Sequence, residues 1–360
     1  MTQTRRVPHT IVLPVRMDGT PPTAIERAAE LLREGGLVAF PTETVYGLGA
    51  DATNPDAVSA IFTAKDRPYS DPIIVHLATV ERLPEVAHRL PEVALRLAER
   101  FWPGPLTLVL PRAPLIPAVV AAGGDTVGVR VPSHPVARAL LQAARIPVAA
   151  PSANRFMHTS PTTADHVLAD LEGRIDCVLD GGPTLVGVES TVVDVTVSPP
   201  RILRPGGVTL EALRQIVPEM RAPEAAGEHV TAEAAIARAP GQMDRHYAPR
   251  ARLLAFDGPA ERVLTALREE AMRALESGMR VGALLPDEDL ALLRDLPLAV
   301  ASLGSTHDPA EMARRLYAAL RALDGQHLDL ILTRMVAETG MGLALRDRLR
   351  RAAGGNIRHV

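Results

Sequence analysis

The sequence predicts an α/β protein of two domains, and three observations carry the prediction. Short β-branched runs and amphipathic helical stretches succeed one another along most of the chain. Near residue 218 their order changes from an irregular mixture to a regular strand–helix repeat. The 360 residues are about twice a typical domain length, and 47% of them are hydrophobic, enough to fill two cores. The boundaries read as 1–217 for the first domain, 218–250 for a linker and 251–360 for the second domain.

In the first domain Thr23 and Glu26 form a capping box, and IERAAELLREGG gives a helix stopped by Gly35 and Gly36. LVAF (37–40) is the next strand. Asn54 caps a helix over 55–64, and IIVHL (73–77) follows as a strand. Helical patterns at 79–89 and 91–101 lead to LTLVL (106–110) and TVGVRV (126–131). A helix at 134–144, IPVAA (146–150), a helix at 164–171, the strands CVLD, TVVDVT and RILR, and a helix near 208–217 complete it. Strands and helices mix without strict alternation, so a mixed, twisted sheet is expected.

Residues 218–250 are rich in Ala and Pro with little strand pattern, which suggests a linker. Beyond it come ARLLAF, a helix at 259–277, RVGALL, a short helix, LAVASL, a helix at 308–323, LDLILT and a helix at 342–353. Strands separated by helices imply parallel βαβ units, a smaller Rossmann-like α/β domain. No GxGxxG is present, so no dinucleotide site is inferred.

A net charge of −3 argues against a broad basic face for nucleic acid. Arg5 and Arg6 are followed by no apolar stretch, and no run approaches the ~18 apolar residues of a membrane span, so a cytoplasmic protein without membrane contact is expected. Cys177 is the only cysteine, which excludes an intrachain disulfide, a CxxC pair and a cysteine-rich zinc site. Of the 39 basic residues Lys65 alone is a lysine. An ammonium is a compact point charge and a guanidinium a planar fork, so a lone lysine in an arginine-rich chain marks a place where the two do not interchange.

The stretch PTETVYGLG (41–49) leaves LVAF with more hydrogen-bonding capacity than a turn needs. Other loops add KDRPYSDP (65–72), Arg130 in VGVRVP, PSAN (151–154), SPT (160–162), VESTVVD (188–194) and LRPGG (203–207). Taken singly, each has a plain structural reading: Arg67 and Asp71 as a solvated pair, PSAN as a turn, EST as a strand entry. Arg130 is the exception, since a cation in a strand needs a partner or an opening to water. Jointly, Lys65, Arg67, Arg130 and Arg204 with hydroxyls from Thr44, Ser152 and Ser190 suit anions, because guanidinium forks hold carboxylate or phosphate oxygens in pairs. There is no GxxxxGK[ST], HExxH or GxSxG motif and no cysteine placed as a nucleophile.

PTETVYGLG, KDRP with SDPIIVHL, VRVPSHP, APSAN, SPT, GVESTVVD and LRPGG, in this order, resemble the threonylcarbamoyl-AMP synthase family, whose catalytic module is the YrdC-like domain. The resemblance covers roughly residues 20–210, and HYAP (246–249) with the α/β tail is similar to the family's long two-domain form. It implies an enzyme, a nucleotidyltransferase, that joins L-threonine, bicarbonate and ATP into threonylcarbamoyl-adenylate and pyrophosphate for t6A modification of tRNA. Threonine would be held by Thr44, His76, Arg130, the backbone at Ala150, and Ser190. ATP would fall to Arg67, Asp71, Thr126, Ser152, Ser160, Arg204 and Tyr247, with Lys65 and Arg67 as catalytic cations. Mg2+ is expected with the ATP, without direct protein ligands and without an organic cofactor. Expected partners are the downstream tRNA threonylcarbamoyl-transfer machinery and a weak tRNA contact.

Two positions depart from the family pattern. Asp71 stands where asparagine is common, and a carboxylate beside phosphates repels them unless a metal or water intervenes. Met157 stands where glycine is usual, which predicts a different path for the loop to Ser160. Two rival readings stay open: a carbamoyl-transfer maturation factor, which normally adds cysteine-rich zinc segments, and a non-catalytic binding module for double-stranded RNA or tRNA.

Overall fold

The computed structural model describes residues 9–15, 22–223, 240 and 246–360, so most of the linker and the pair Arg5 and Arg6 lie outside the described residues. Two compact units result. The first draws on Met1–Phe156, Ser160–Leu185 and Glu189–Gln242, and the second on Met157–Thr159, Val186–Val188 and Met243–Val360.

Along the first unit run β1 (Ile11–Pro14), α1 (Pro22–Arg33), β2 (Val38–Pro41), β3 (Tyr46–Asp51), α2 (Pro55–Lys65), β4 (Val75–His76), α3 (Leu83–Val86) and α4 (Glu92–Phe101). There follow β5 (Leu106–Pro111), β6 (Thr126–Arg130), α5 (Pro135–Ala144), β7 (Val148–Ala149), α6 (Ala164–Leu171), β8 (Cys177–Asp180), β9 (Thr191–Asp194), β10 (Arg201–Arg204) and α7 (Leu210–Ile216). The strands form one mixed sheet in the order β1-β8-β2-β3-β7-β4-β6-β5-β9-β10. Pairs such as β2 with β3 are antiparallel, and β4 with β6 parallel. The sheet is buried on both faces: Val38, Phe40, Cys177 and Leu179 join a core containing residues of α1 and α5, while Ala39 and Val178 join the larger core containing residues of α2 and α4. Burial on two faces is why these strands read as continuous apolar runs rather than alternating ones.

Three local expectations are corrected. The first helix starts at Pro22, so Thr23 lies within it and not at a cap. Its end agrees with the sequence, because Gly35 takes φ +81°, a conformation only glycine adopts freely. Second, Tyr46–Asp51 is a strand, paired with both β2 and β7, where the sequence suggested only loop. Third, the strands expected at 73–77 and 146–150 shrink to two residues each, β4 and β7. Asn54 does cap its helix, accepting from the Asp56 and Ala57 N–H groups at 3.0 and 3.3 Å.

In the second unit β11 (Arg252–Asp257), α8 (Ala260–Glu276), β12 (Val281–Leu285), β13 (Ala299–Ser302), α9 (Pro309–Asp324), β14 (Leu330–Arg334), α10 (Gly342–Ala352) and β15 (Ile357–His359) make a five-stranded sheet, order β13-β12-β14-β11-β15. Every pairing in it is parallel, as the strand–helix repeat requires. Among the described residues no helix is long and apolar enough to cross a membrane.

Candidate active site

The loop between β2 and β3 folds on itself through Thr42, whose hydroxyl donates to the Val45 carbonyl at 2.6 Å and lies 2.8 Å from the Thr44 hydroxyl. Thr44 is thereby held toward β6, where Arg130 Nη1 donates to its Oγ1 at 3.0 Å. In sheet order β2 and β6 stand four places apart, which in a flat sheet is about 19 Å. The loop and the twist of the sheet close that gap. Glu43 completes the contact: its Oε1 lies 2.6 Å from Arg130 Nη2, both side chains being 4% exposed, and its Oε2 accepts from the Ser133 N–H at 3.1 Å.

The Arg130–Glu43 approach is an ion pair without hydrogen-bond geometry. Glu43 Oε1, Arg130 Nε and Arg130 Nη2 are buried atoms with no hydrogen-bond partner among the described residues. Leaving buried polar atoms without a hydrogen bond is costly, so the concentration of three in one ion pair marks a place for a polar ligand.

His76 sits beside Arg130 in parallel register on β4. Burial, and then the Arg130 charge, push its pKa from 6.5 down to about 3, so the imidazole is neutral. Ala150, at the end of β7, donates its N–H to the Ile74 carbonyl at 2.9 Å, which anchors the backbone of APSAN one residue past the strand. Ser190, just before β9, has its hydroxyl 2.8 Å from that of Thr107 on β5. Arg204 binds the same residue, with Nη2 on the Ser190 carbonyl at 3.0 Å and on its hydroxyl at 3.2 Å, and it also donates to the Pro240 carbonyl at 3.1 Å. Gly206 makes this possible: a Cβ there would stand 2.3 Å from the Glu189 carbonyl oxygen and 2.4 Å from the Ser190 carbonyl carbon.

The cationic loop behaves differently from a set of free anion binders. Lys65 is 1% exposed at the end of α2, and its ammonium donates to the carbonyls of Ser152 and Asn154. Burial, followed by the nearby Arg67 charge, holds its pKa well below that of an ordinary lysine. Arg67 and Asp71 form a buried ion pair at 3.0 Å, 4% and 3% exposed, and Arg67 also donates to the Pro72 carbonyl at 2.7 Å. The plain reading of the two as a solvated pair is therefore corrected, and the unexpected Asp71 carboxylate has a cation against it. Ser152 bridges to Gly47 on β3, Ala153 donates to the Tyr46 carbonyl, and Tyr46 donates to the Pro161 carbonyl, so PTETVYGLG, PSAN and SPT are tied into one layer. Ser160 is fully buried and donates to Glu189 Oε1 at 2.6 Å. Thr126 begins the strand that Arg130 ends, four residues and about 13 Å away.

Tyr247 belongs to the second unit, where it is 1% exposed. Its ring lies 4.0 Å from His246 and 5.7 Å from Tyr317, with the Arg348 guanidinium 5.1 Å above it. Met157 takes φ +68°, the conformation glycine favours, so the backbone keeps a left-handed turn there in spite of the side chain.

A family described as telomere recombination, Sua5/YciO/YrdC, matches residues 30–206, and the C-terminal domain of threonylcarbamoyl-AMP synthase matches residues 208–354. The threonylcarbamoyl-AMP synthase of Pyrococcus abyssi is 45% identical over 337 residues, 92% of this chain and 95% of that protein. That of Bacillus subtilis is 43% identical over 334 residues, covering 92% and 94%. The crystal structure of P. abyssi Sua5 complexed with L-threonine superposes with a TM-score of 0.90 at 45% identity, covering 98% of this chain and all of that one.

The chain belongs to the threonylcarbamoyl-AMP synthase family.

For a threonylcarbamoyl-AMP synthase family member, the structure gathers Thr44, His76 and Arg130, and separately Ser190 with Arg204. Lys65 and Ser152 form a third group and Arg67 with Asp71 a fourth. Three participants were missed in the sequence. Glu43 and Glu189 stand inside quoted motifs, where neither was assigned a role. Thr107 is an ordinary strand residue whose neighbour only the sheet reveals.

Proposed function

We propose that the chain is an L-threonylcarbamoyladenylate synthase, a nucleotidyltransferase converting L-threonine, bicarbonate and ATP into threonylcarbamoyl-AMP and pyrophosphate for tRNA t6A modification. The observation that carries this reading is the buried Arg130 guanidinium with two nitrogens that lack hydrogen bonds, flanked by Thr44 and Glu43. It is a carboxylate-binding fork in a dry setting.

In this reading threonine lies among Thr44, His76, Arg130, the Ala150 backbone and Ser190. ATP lies toward Arg67, Asp71, Thr126, Ser152, Ser160 and Arg204. A neutral His76 accepts or donates a hydrogen bond without adding a second cation beside Arg130. Threonine's amine adds to bicarbonate to give a carbamate, whose oxygen attacks the α-phosphate as pyrophosphate leaves. No protein nucleophile is needed, and the work of the chain is positioning and charge neutralisation. Lys65 contributes by fixing the Ser152–Asn154 backbone, and Arg67 by presenting a cation already oriented by Asp71.

Among the described residues no group of three or more His, Cys, Asp or Glu is placed to hold a metal ion. Mg2+ is proposed to arrive on the ATP phosphates, where it would neutralise developing charge. The protein is read as cytoplasmic, passing its product to a tRNA-modifying partner with a weak tRNA contact of its own.

The test is pyrophosphate release from ATP with threonine and bicarbonate supplied and each omitted in turn, with the adenylate detected by mass spectrometry. Dependence on all three supports the reading. Threonine-independent turnover would sink it. Salt-sensitive RNA binding without turnover would favour the binding-module alternative.

A further inference from the structure

We infer that Glu43 receives the amino group of threonine and acts as the base that removes its proton. The inference rests on the proposed threonine site and extends it to a residue outside the ligand set inferred from the sequence. The observation is the unmatched geometry of one carboxylate. Ser133 fixes Glu43 Oε2, while Oε1 is buried, without a hydrogen bond among the described residues, and 2.6 Å from Arg130 Nη2. Arg130 Nε and Nη2 and Glu43 Oε1, the last two held only as an ion pair without a hydrogen bond, thus offer donors and an acceptor side by side.

That arrangement matches an α-amino acid zwitterion. Its carboxylate takes the Arg130 nitrogens, and its ammonium, two bonds from the carboxylate carbon, falls beside Glu43 Oε1. Charge decides the match. The buried Arg130–Glu43 pair is neutral, and a zwitterion keeps the pocket neutral, whereas a plain carboxylate would leave one buried negative charge uncompensated.

The same balance permits the proton step. One ammonium N–H bond breaks, its electron pair stays on nitrogen, and the proton moves to Glu43 Oε1. The pocket then holds Arg130 as a cation, the threonine carboxylate as an anion, and a neutral amine beside a neutral acid, with no change of net charge. The amine attacks the carbon of bicarbonate, the C–N bond forms, water leaves, and the carbamate results; Glu43 then releases its proton to solvent. Among the described residues, the titratable and charged groups facing Glu43 are Arg130 and His134, the latter made less basic by burial and partly restored by the Glu43 charge, with His76 beyond Arg130.

The experiment compares L-threonine with 2,3-dihydroxybutyrate, in which a hydroxyl replaces the amine, by calorimetry on the full chain. The parent is expected to prefer threonine roughly tenfold to a hundredfold, the range of a hydrogen bond to a charged group. In Glu43→Gln the preference should collapse to within about threefold, and the product-forming rate at saturating substrates should climb about tenfold per pH unit as the free amine appears, unlike the flatter parent profile. Glu43→Asp, which keeps the carboxylate, should keep the preference. Unchanged preference and profile in Glu43→Gln would overturn the inference and leave Glu43 a support for Arg130. Should Glu43→Gln fail to fold, the parent decides: equal affinity for both ligands overturns the inference. A parent that binds no threonine at all defeats the threonine site itself, a separate result.

Discussion

The ammonium of Lys65 is hydrogen-bonded to the backbone carbonyl of Ser152, and to that of Asn154, from a side chain 1% exposed. The lone lysine is thus a buried clamp on the PSAN loop. A guanidinium is larger and flat and does not fit where a point charge meets two carbonyls. Lys65→Arg is expected to lower turnover by roughly 2 kcal/mol of barrier, about 30-fold, and to lower the melting temperature as well. Parent-like turnover and melting would show that either cation serves.

Arg130→Lys keeps a charge opposite Glu43 but removes the fork. The threonine KM should rise by roughly tenfold to a hundredfold while the ATP KM changes little. Steady-state kinetics with each substrate varied in turn provide the check, and equal effects on both would point to a structural role.

His76 gives the fold a pH dependence of predictable sign. Above its unfolded pKa of about 6.5 the imidazole is neutral in both states. As pH falls from there toward the folded value of about 3, the unfolded chain takes the proton first, and the stability linked to His76 is lost. The slope from this one proton is at most ~1.4 kcal/mol per pH unit. Denaturant titrations at stepped pH should show a steeper loss in the parent than in His76→Gln; parallel slopes would remove His76 from the acid response.

Gly206→Ala places a methyl against the Glu189 and Ser190 backbone. Since that contact is with main chain, the Ser190 segment must shift, and a loss of about 1–3 kcal/mol is expected, with a higher threonine KM. Equilibrium unfolding and kinetics test it together; a variant equal to the parent in both would mean the loop yields freely.

Tyr247→Ala empties a buried aromatic position among His246, Tyr317 and Arg348 and should cost about 3–5 kcal/mol in the second unit. Calorimetry reads that loss. An unchanged transition of the second unit would show that the ring adds nothing to its packing.

Much of this molecule was legible before folding. The parallel second sheet followed from strands separated by helices, because such strands can neighbour one another in parallel only by crossing over. The Asn54 cap and the Gly35 stop were readable because each is a local chemical necessity, an acceptor for orphan N–H groups and a residue tolerant of positive φ. The β3 strand was not, because YGLGAD carries two glycines and owes its conformation to pairing with β2 and β7.

The candidate site divides along the same line. Residue types alone fixed the chemistry: cations and hydroxyls on loops after apolar strands describe an anion site, and a single lysine among arginines marks a special position. Only the tertiary structure decided which of those groups remain for a ligand. Folding assigned Lys65 to two backbone carbonyls, Arg67 to Asp71, Arg204 to Ser190 and Arg130 to Glu43, and in the last pair it left Arg130 Nε and Nη2 and Glu43 Oε1 without hydrogen bonds among the described residues. The physical reason is distance: hydrogen-bond partners at Thr44 and Arg130 are 86 residues apart and meet only across a twisted sheet, so no local pattern can specify the pairing.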